Sequence, residues 1–163
     1  LALMDALAVA AMKVRRFTHE DYALFHPAGS LGRRLLLRVG DLMRSGPRLA
    51  LCAPEATILE AMFTITRAES GSAFVVDPDG RFLGLITDGD IRRLILHDEQ
   101  ALHRSVGAYL NRSPRRTTAD RLVTEALQVM EQHPPCGELP VLDQEGRPLG
   151  VLNLKDVARA GIF

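Results

Sequence analysis

Two short stretches of this chain place a polar side chain three residues ahead of a carboxylate, directly after an apolar run: Gly84-Leu-Ile-Thr87-Asp-Gly-Asp90 and Gly150-Val-Leu-Asn153-Leu-Lys-Asp156. Each reads as a strand that ends on the start of a helix. Amides at a helix start are unsatisfied and the dipole is positive there, so an anion or a phosphate is stabilised. The Thr87 hydroxyl can add a hydrogen bond to a phosphate, and Asp90, one turn in, is placed to accept from a ribose diol. Hydrogen bonds to such a charged acceptor are worth about 1.5–3 kcal/mol each. The plainer alternative makes Thr87 only an N-cap and Asp90 only a first-turn acid favoured by the dipole.

The elements that must position these residues follow from sliding the chain against itself. At an offset of 66, Asp77, Gly80, Arg81, Leu83, Gly84 and Asp90 recur as Asp143, Gly146, Arg147, Leu149, Gly150 and Asp156. Upstream, Glu60-Ala61 recurs as Glu125-Ala126 and Val39-Gly40 as Val106-Gly107, with shifts of one residue that place small indels in loops. The chain is a tandem duplication of a unit of roughly 60 residues, within the size range of small domains. In the first unit a helix is expected from about Thr57 to Arg67, with Ile58, Ala61, Met62 and Ile65 on one face, then a strand over Ala73–Val76. An Asp-Pro-Asp-Gly turn, a strand over Phe82–Ile86 and a helix capped at Thr87 or Asp88 complete it. The counterpart of the first helix runs from Val123 to about Gln132. Units this small have marginal cores, so packing of one sheet against the other is the natural solution.

Composition narrows the function classes. Twenty basic residues balance twenty acidic ones, which argues against a general nucleic-acid-binding surface. With 47% apolar and 25% charged residues the chain reads as globular, and no apolar run approaches the 18 or so residues of a membrane span. Cys52 and Cys136 read as two buried thiols rather than a disulfide or zinc site, and His97, His103 and His133 have no partners at metal-ligand spacing. The five methionines, Met4, Met12, Met43, Met62 and Met130, read as core, and the arginines around Ser30 and Ser113 as a solvated face or interdomain ion pairs. Leu1–Arg16 reads as an apolar helix that either packs on the rest or belongs to a preceding domain, so the chain is expected to be part of a longer protein. Thr18 reads as the cap of a short helix to about Leu24, before a stretch broken by Pro27, Gly29 and Gly32.

The duplicated strand followed by hydroxyl-x-x-Asp resembles the cystathionine-β-synthase (CBS) domain pair, or Bateman module, from about Val39 to the carboxy terminus. That resemblance implies an α/β (α+β) fold of tandem CBS domains, each a small sheet with helices on one side, with ligand clefts between them. In that family the Thr or Ser contacts phosphate and the Asp holds the ribose of an adenosyl or related nucleotide. Thr87 and Asp90 match that pattern, whereas the second unit keeps Asp156 but has Asn153 in the hydroxyl position, so the first site is expected to be the more competent.

The segment ahead of the pair, with Phe25-His-Pro-Ala-Gly-Ser-Leu-Gly-Arg-Arg34, is similar to the junction in bacterial arabinose-5-phosphate isomerases, where a sugar-isomerase (SIS) domain ends and the CBS pair begins. The division implied is 1–38 for the end of the SIS domain, 39–100 for the first CBS domain and 101–163 for the second. The parent activity implied is interconversion of ribulose 5-phosphate and arabinose 5-phosphate, feeding 3-deoxy-manno-octulosonate and lipopolysaccharide synthesis in the cytoplasm. The residue matching the family's active-site histidine is His26, and a group titrating near neutral pH suits the proton transfers of an enediol isomerisation. The upstream carboxylates and phosphate loop are outside this chain, so the fragment is expected to be regulatory rather than catalytic, with no metal and no catalytic cofactor. The expected ligand is an adenosine nucleotide or a CMP-linked sugar, and the expected partner is a second copy in a homodimer or homotetramer. The competing expectation is a structural module that braces the oligomer and binds nothing.

Overall fold

A computed structural model describes residues 2–16, 36–98 and 100–162 of the chain. The expected short helix after Thr18 and the stretch carrying His26 fall outside these residues. Helix α1 (Ala2–Val14) forms where helical spacing placed it, with Lys13 in its last turn. The side chains described along it are exposed, so it does not pack on the rest of the described chain. Met4 and Met12, expected in a core, are exposed for that reason, whereas Met130 is buried and Met43 and Met62 pack at the margins of the two main clusters.

The first half comprises α2 (Val39–Leu42), β1 (Leu51–Cys52), α3 (Ile58–Ala68), β2 (Ser72–Val76), β3 (Phe82–Thr87) and α4 (Asp88–His97). The second comprises a 3-10 turn (Val106–Ala108), α5 (Val123–Glu131), β4 (Glu138–Leu142), β5 (Pro148–Asn153) and α6 (Leu154–Arg159). Thr57 opens α3 with a capping box: its hydroxyl accepts from the Glu60 amide, and the Glu60 carboxylate accepts from the Thr57 amide at 2.7 Å. The face of α3 then buries Ile58, Ala61, Ile65 and Ala68, as its periodicity predicts. The strands pair in order β1-β2-β3, with β1 parallel and β3 antiparallel to β2, and β4 pairs antiparallel with β5. Two-residue β1 carries too little periodicity to be read from sequence. In the second half its place is taken by a single parallel bridge from Thr117 to Val141.

Alternation along the strands sends their two faces to different cores. Ala73, Val75 and Ile86 pack under α3 and α4, while Leu139, Val141 and Leu152 pack with α5 and Val157 of α6. Phe74 and Leu85 turn the other way and meet Val151 of the second sheet, with the Phe74 and Phe82 rings edge to face at 5.3 Å. Helices therefore cover one side of each sheet and the uncovered sides meet, as expected for units too small to stand alone. The recurring Asp and Gly of the hairpins have a common cause. Asp77 and Asp143 each accept the amide of the Arg four residues on at 2.7 Å, and Gly80 and Gly146 both hold φ +79°.

The lead-in segments of the two repeats are exchanged. Val39 and Gly40 donate to the carbonyls of Arg121 and Ala119 in the second half, and Val39 is buried in the second cluster. Reciprocally, Val106 and Gly107 donate to Ala56 and Pro54, and Val106 is buried in the first cluster. Each segment then runs beside the last strand of the other half. Arg44 exchanges both backbone hydrogen bonds with Val151, at 2.9 Å each, and Asn111 does the same with Leu85 at 2.8 and 3.0 Å. Val39-Gly40 and its recurrence Val106-Gly107 are the residues that tie each segment into the other half.

A cleft between the two halves as the candidate functional site

The register of the strands brings the two predicted junctions face to face. Ser72 lies opposite Thr87 across β2 and β3, and its repeat equivalent Glu138 lies opposite Asn153 across β4 and β5. Ser72 and Glu138 meet at the seam, where the Ser72 hydroxyl donates to Glu138 Oε2 at 2.6 Å. The other carboxylate oxygen of Glu138 accepts from the Gly71 amide at 2.9 Å and from Asn153 Nδ2 at 2.8 Å. Around this seam opens a cleft of about 870 Å³ that includes Thr87 and Asn153 together with Arg44, Asn111, Arg115 and Lys155. Its size falls within the range of small-molecule sites. A smaller cavity of about 510 Å³, beside α5 and the β4–β5 turn, contains none of Thr87, Asp90, Asn153 and Asp156.

At the first junction the atoms are arranged as the capping alternative expects. Thr87 is the N-cap of α4: its hydroxyl accepts from the Asp90 amide at 3.1 Å and donates to Asp90 Oδ2 at 2.7 Å. The Thr87 amide donates to the same carboxylate oxygen at 3.0 Å, and Arg93 holds Oδ1 at 2.5 Å. Burial pushes the Asp90 carboxyl up, but the Thr87 hydroxyl, the Thr87 amide and Arg93 together hold it below the usual carboxylate range. Thr87 lines the cleft, whereas Asp90 sits a turn deeper along α4 and is not part of its wall. Neighbouring Asp88 does line the cleft. Burial raises its carboxyl, Arg92 opposes, and Glu138 raises it further.

The second junction also lines the cleft, but its polar side chains are taken by neighbours. Asn153 is buried and caps α6 through Oδ1, which accepts from the Lys155 amide at 2.8 Å, while its amide nitrogen is spent on Glu138. Asp156 is gripped by Arg44, whose Nε and Nη2 donate to its two oxygens at 2.5 and 3.0 Å. A third Arg44 bond, at 2.6 Å, reaches the Glu69 carbonyl at the end of α3. The side chains of Arg44 and Asp156 are 7% and 16% exposed, against 68% and 33% for Arg93 and Asp90. Freeing Asp90 from Arg93 therefore costs what an exposed ion pair is worth, about 0–1 kcal/mol. Freeing Asp156 means breaking a largely buried pair, which costs about 3–5 kcal/mol when one partner is left alone.

The Arg44 pair sets a pH dependence. Arg44's hydrogen bonds hold the Asp156 carboxyl below its usual range; burial opposes this, and the charges of Arg44, Arg48 and Arg159 reinforce it. A carboxyl whose folded pKa lies below its unfolded value of about 3.9 contributes its full stability above that pH and loses it as pH falls through the folded pKa. Stability should therefore fall below about pH 4, and Asp156→Asn should flatten that part of the profile in urea unfolding followed from pH 6 to 2.5.

Neither Arg44 nor Glu138 stood out in the sequence. Arg44 shows only as the repeat equivalent of Asn111, and Glu138 as that of Ser72, and what makes either position matter is the exchange of lead-in segments. Arg115 donates to the backbone carbonyls of Val129, Gln132 and Pro134, an internal clamp rather than a solvated face. Cys52 and Cys136 are unpaired and half-buried, and burial pushes the Cys52 thiol up to about 11. Among the described residues no helix is long and apolar enough to cross a membrane.

Two exchanged repeats, each a small sheet with helices on one side, define a tandem pair. The CBS domain family model matches residues 39–97 and 106–162, and the chain belongs to that family. Curated relatives that it matches over its full length include arabinose 5-phosphate isomerases. The chain is 38% identical over 163 residues to the arabinose 5-phosphate isomerase of Pseudomonas aeruginosa, covering 100% of this chain and 50% of that protein. It is 38% identical over 162 residues to the enzyme of the same name from Yersinia pestis, covering 99% and 49%. The chain thus spans about half the length of the curated relatives it matches. Among solved structures, the CBS-domain protein ATU1752 of Agrobacterium tumefaciens superposes with TM-score 0.68 at 25% identity, covering 78% of this chain and 95% of that one. CBSX2 in complex with AMP superposes with TM-score 0.66 at 22% identity, covering 77% and 96%.

Proposed function

We propose that this chain is the regulatory, ligand-sensing part of an arabinose-5-phosphate isomerase, and that it binds a nucleotide or nucleotide sugar at the Thr87 end of the cleft. The observation that carries this reading is the Thr87–Asp90 pair at the start of ten-residue α4, with its acid held by a readily displaced, exposed Arg93. Thr87 meets the phosphate with the dipole of α4 behind it, and Asp90 accepts from the ribose diol once Arg93 swings to solvent. The complexes of CBSX2 with AMP and of the MJ0100 CBS pair with 5'-methylthioadenosine and S-adenosyl-L-methionine support a nucleotide in this fold. A CMP-linked octulosonate is the other candidate, as feedback from the pathway that the isomerase supplies. His26 is assigned to the active site of the isomerase half, in a cytoplasmic enzyme that assembles as a homodimer or homotetramer through copies of itself.

Titration calorimetry of the chain with AMP, S-adenosylmethionine and the CMP-linked sugar tests the reading. A ligand of the wild type is expected to lose at least tenfold in affinity with Asp90→Ala, since one charge-assisted hydrogen bond is worth about 1.5–3 kcal/mol. Heat from none of the three, or equal affinity in the variant, overturns the sensor and leaves a purely structural assembly module.

A further inference from the structure

The two ends of the cleft are built from equivalent positions, and Arg44 against Asn111 is one at which they differ. Arg44 runs antiparallel beside β5 in the register in which Asn111 runs beside β3, each at the end of an exchanged lead-in segment. Arg44 reaches from there to both oxygens of Asp156 and to the carbonyl of Glu69. Asn111 instead turns its side-chain oxygen back to the Ser113 amide at 3.0 Å and leaves Asp90 alone. The guanidinium is buried, in line with the cleft wall, and its three bonds tie the end of α3 in one half to the first turn of α6 in the other. Both oxygens of Asp156 are thus held by a buried guanidinium, whereas those of Asp90 are held by its own cap residue and by the exposed Arg93, and the Asn153 amide is occupied by Glu138.

We infer that Arg44 is a specificity-determining residue: it closes the Asn153–Asp156 end of the cleft, so that the chain takes one nucleotide, at Thr87 and Asp90, instead of two. The inference rests on the nucleotide reading above and adds to it a stoichiometry and the residue that sets it. Internal symmetry supplies the converse. An arginine at position 111 stands where Arg44 stands and has the same reach, so it closes the Asp90 end.

The test measures AMP binding, with CMP in a parallel series, by calorimetry on the wild type, Arg44→Asn and Asn111→Arg. The wild type is expected to bind one nucleotide per chain, Arg44→Asn two, and Asn111→Arg with at least tenfold lower affinity. Binding of neither nucleotide by any of the three proteins overturns the nucleotide reading and this inference with it. Two nucleotides on the wild type, or one on a folded Arg44→Asn, overturns the inference alone. Because Arg44→Asn removes a buried ion-pair partner, circular dichroism accompanies it. If it fails to fold, Asn111→Arg at an exposed position decides, and wild-type affinity in that variant overturns the inference.

Discussion

Arg44→Ala is expected to lower the unfolding free energy of the pair by about 3 kcal/mol, the low end of the cost of removing one side of a buried ion pair, because the exposed Arg159 stays 3.6 Å from Asp156. The guanidinium serves three acceptors at once, the two oxygens of Asp156 and the Glu69 carbonyl, and both charged side chains are mostly out of water. Removing it leaves the Asp156 charge at the start of α6 with only the exposed Arg159, 3.6 Å away, and strands a carbonyl at the end of α3, in the turn where Glu69 adopts φ +52°. The double replacement Arg44→Met with Asp156→Leu should recover much of the loss, because apolar side chains of similar volume commonly match a buried ion pair. Urea unfolding of the three proteins at neutral pH, with the denaturant slope compared as well as the midpoint, measures this. A loss of under about 1 kcal/mol for Arg44→Ala would class the pair with ordinary surface ion pairs.

The second large effect is expected at Gly84. A Cβ there would stand 2.2 Å from Leu110 Cδ1 and 2.4 Å from the Asn111 carbonyl oxygen, and the residue holds φ +154°. The leucine side chain can give way, but the carbonyl cannot do so without breaking the two backbone bonds that join Asn111 to Leu85. Overpacking of about 1–3 kcal/mol together with two lost hydrogen bonds of about 1 kcal/mol each puts Gly84→Ala near 3–5 kcal/mol. Gly150, its repeat equivalent, meets the Arg44 carbonyl oxygen at 2.6 Å and the Met43 sulfur at 2.9 Å, so Gly150→Ala should cost a similar amount. Thermal unfolding checks both, and an alanine tolerated at either position would contradict the crossover of lead-in segments.

Much of this was legible in the sequence because the duplication is preserved where the backbone needs it. Asp77, Gly80 and Arg81 recur as Asp143, Gly146 and Arg147 because both hairpins use the same aspartate to bind the same amide. Gly84 recurs as Gly150 because a neighbouring chain passes at that point in both halves. Thr87 and Asp90 announced a cap, and they form one. What a repeat cannot show is that its two copies trade their first segments, and the site depends on that trade. Arg44 belongs to the first unit yet acts on the second, and the strand it joins is 107 residues away, at Val151. Glu138 stands where the first unit has Ser72, a difference that looks like drift until the seam brings the two side chains together. The methionines of α1 are exposed for a related reason: helical spacing reports an apolar face but not what covers it.

Co-crystallising the chain with AMP tests the central claim most directly, that the cleft is a nucleotide site at one end and latched at the other. The predicted result is one nucleotide per chain, its phosphate at Thr87 and its ribose on Asp90 beside Asn111, with the Arg44–Asp156 pair intact. A nucleotide seated on Asn153 and Asp156 with Arg44 displaced, or a cleft left empty, would contradict it.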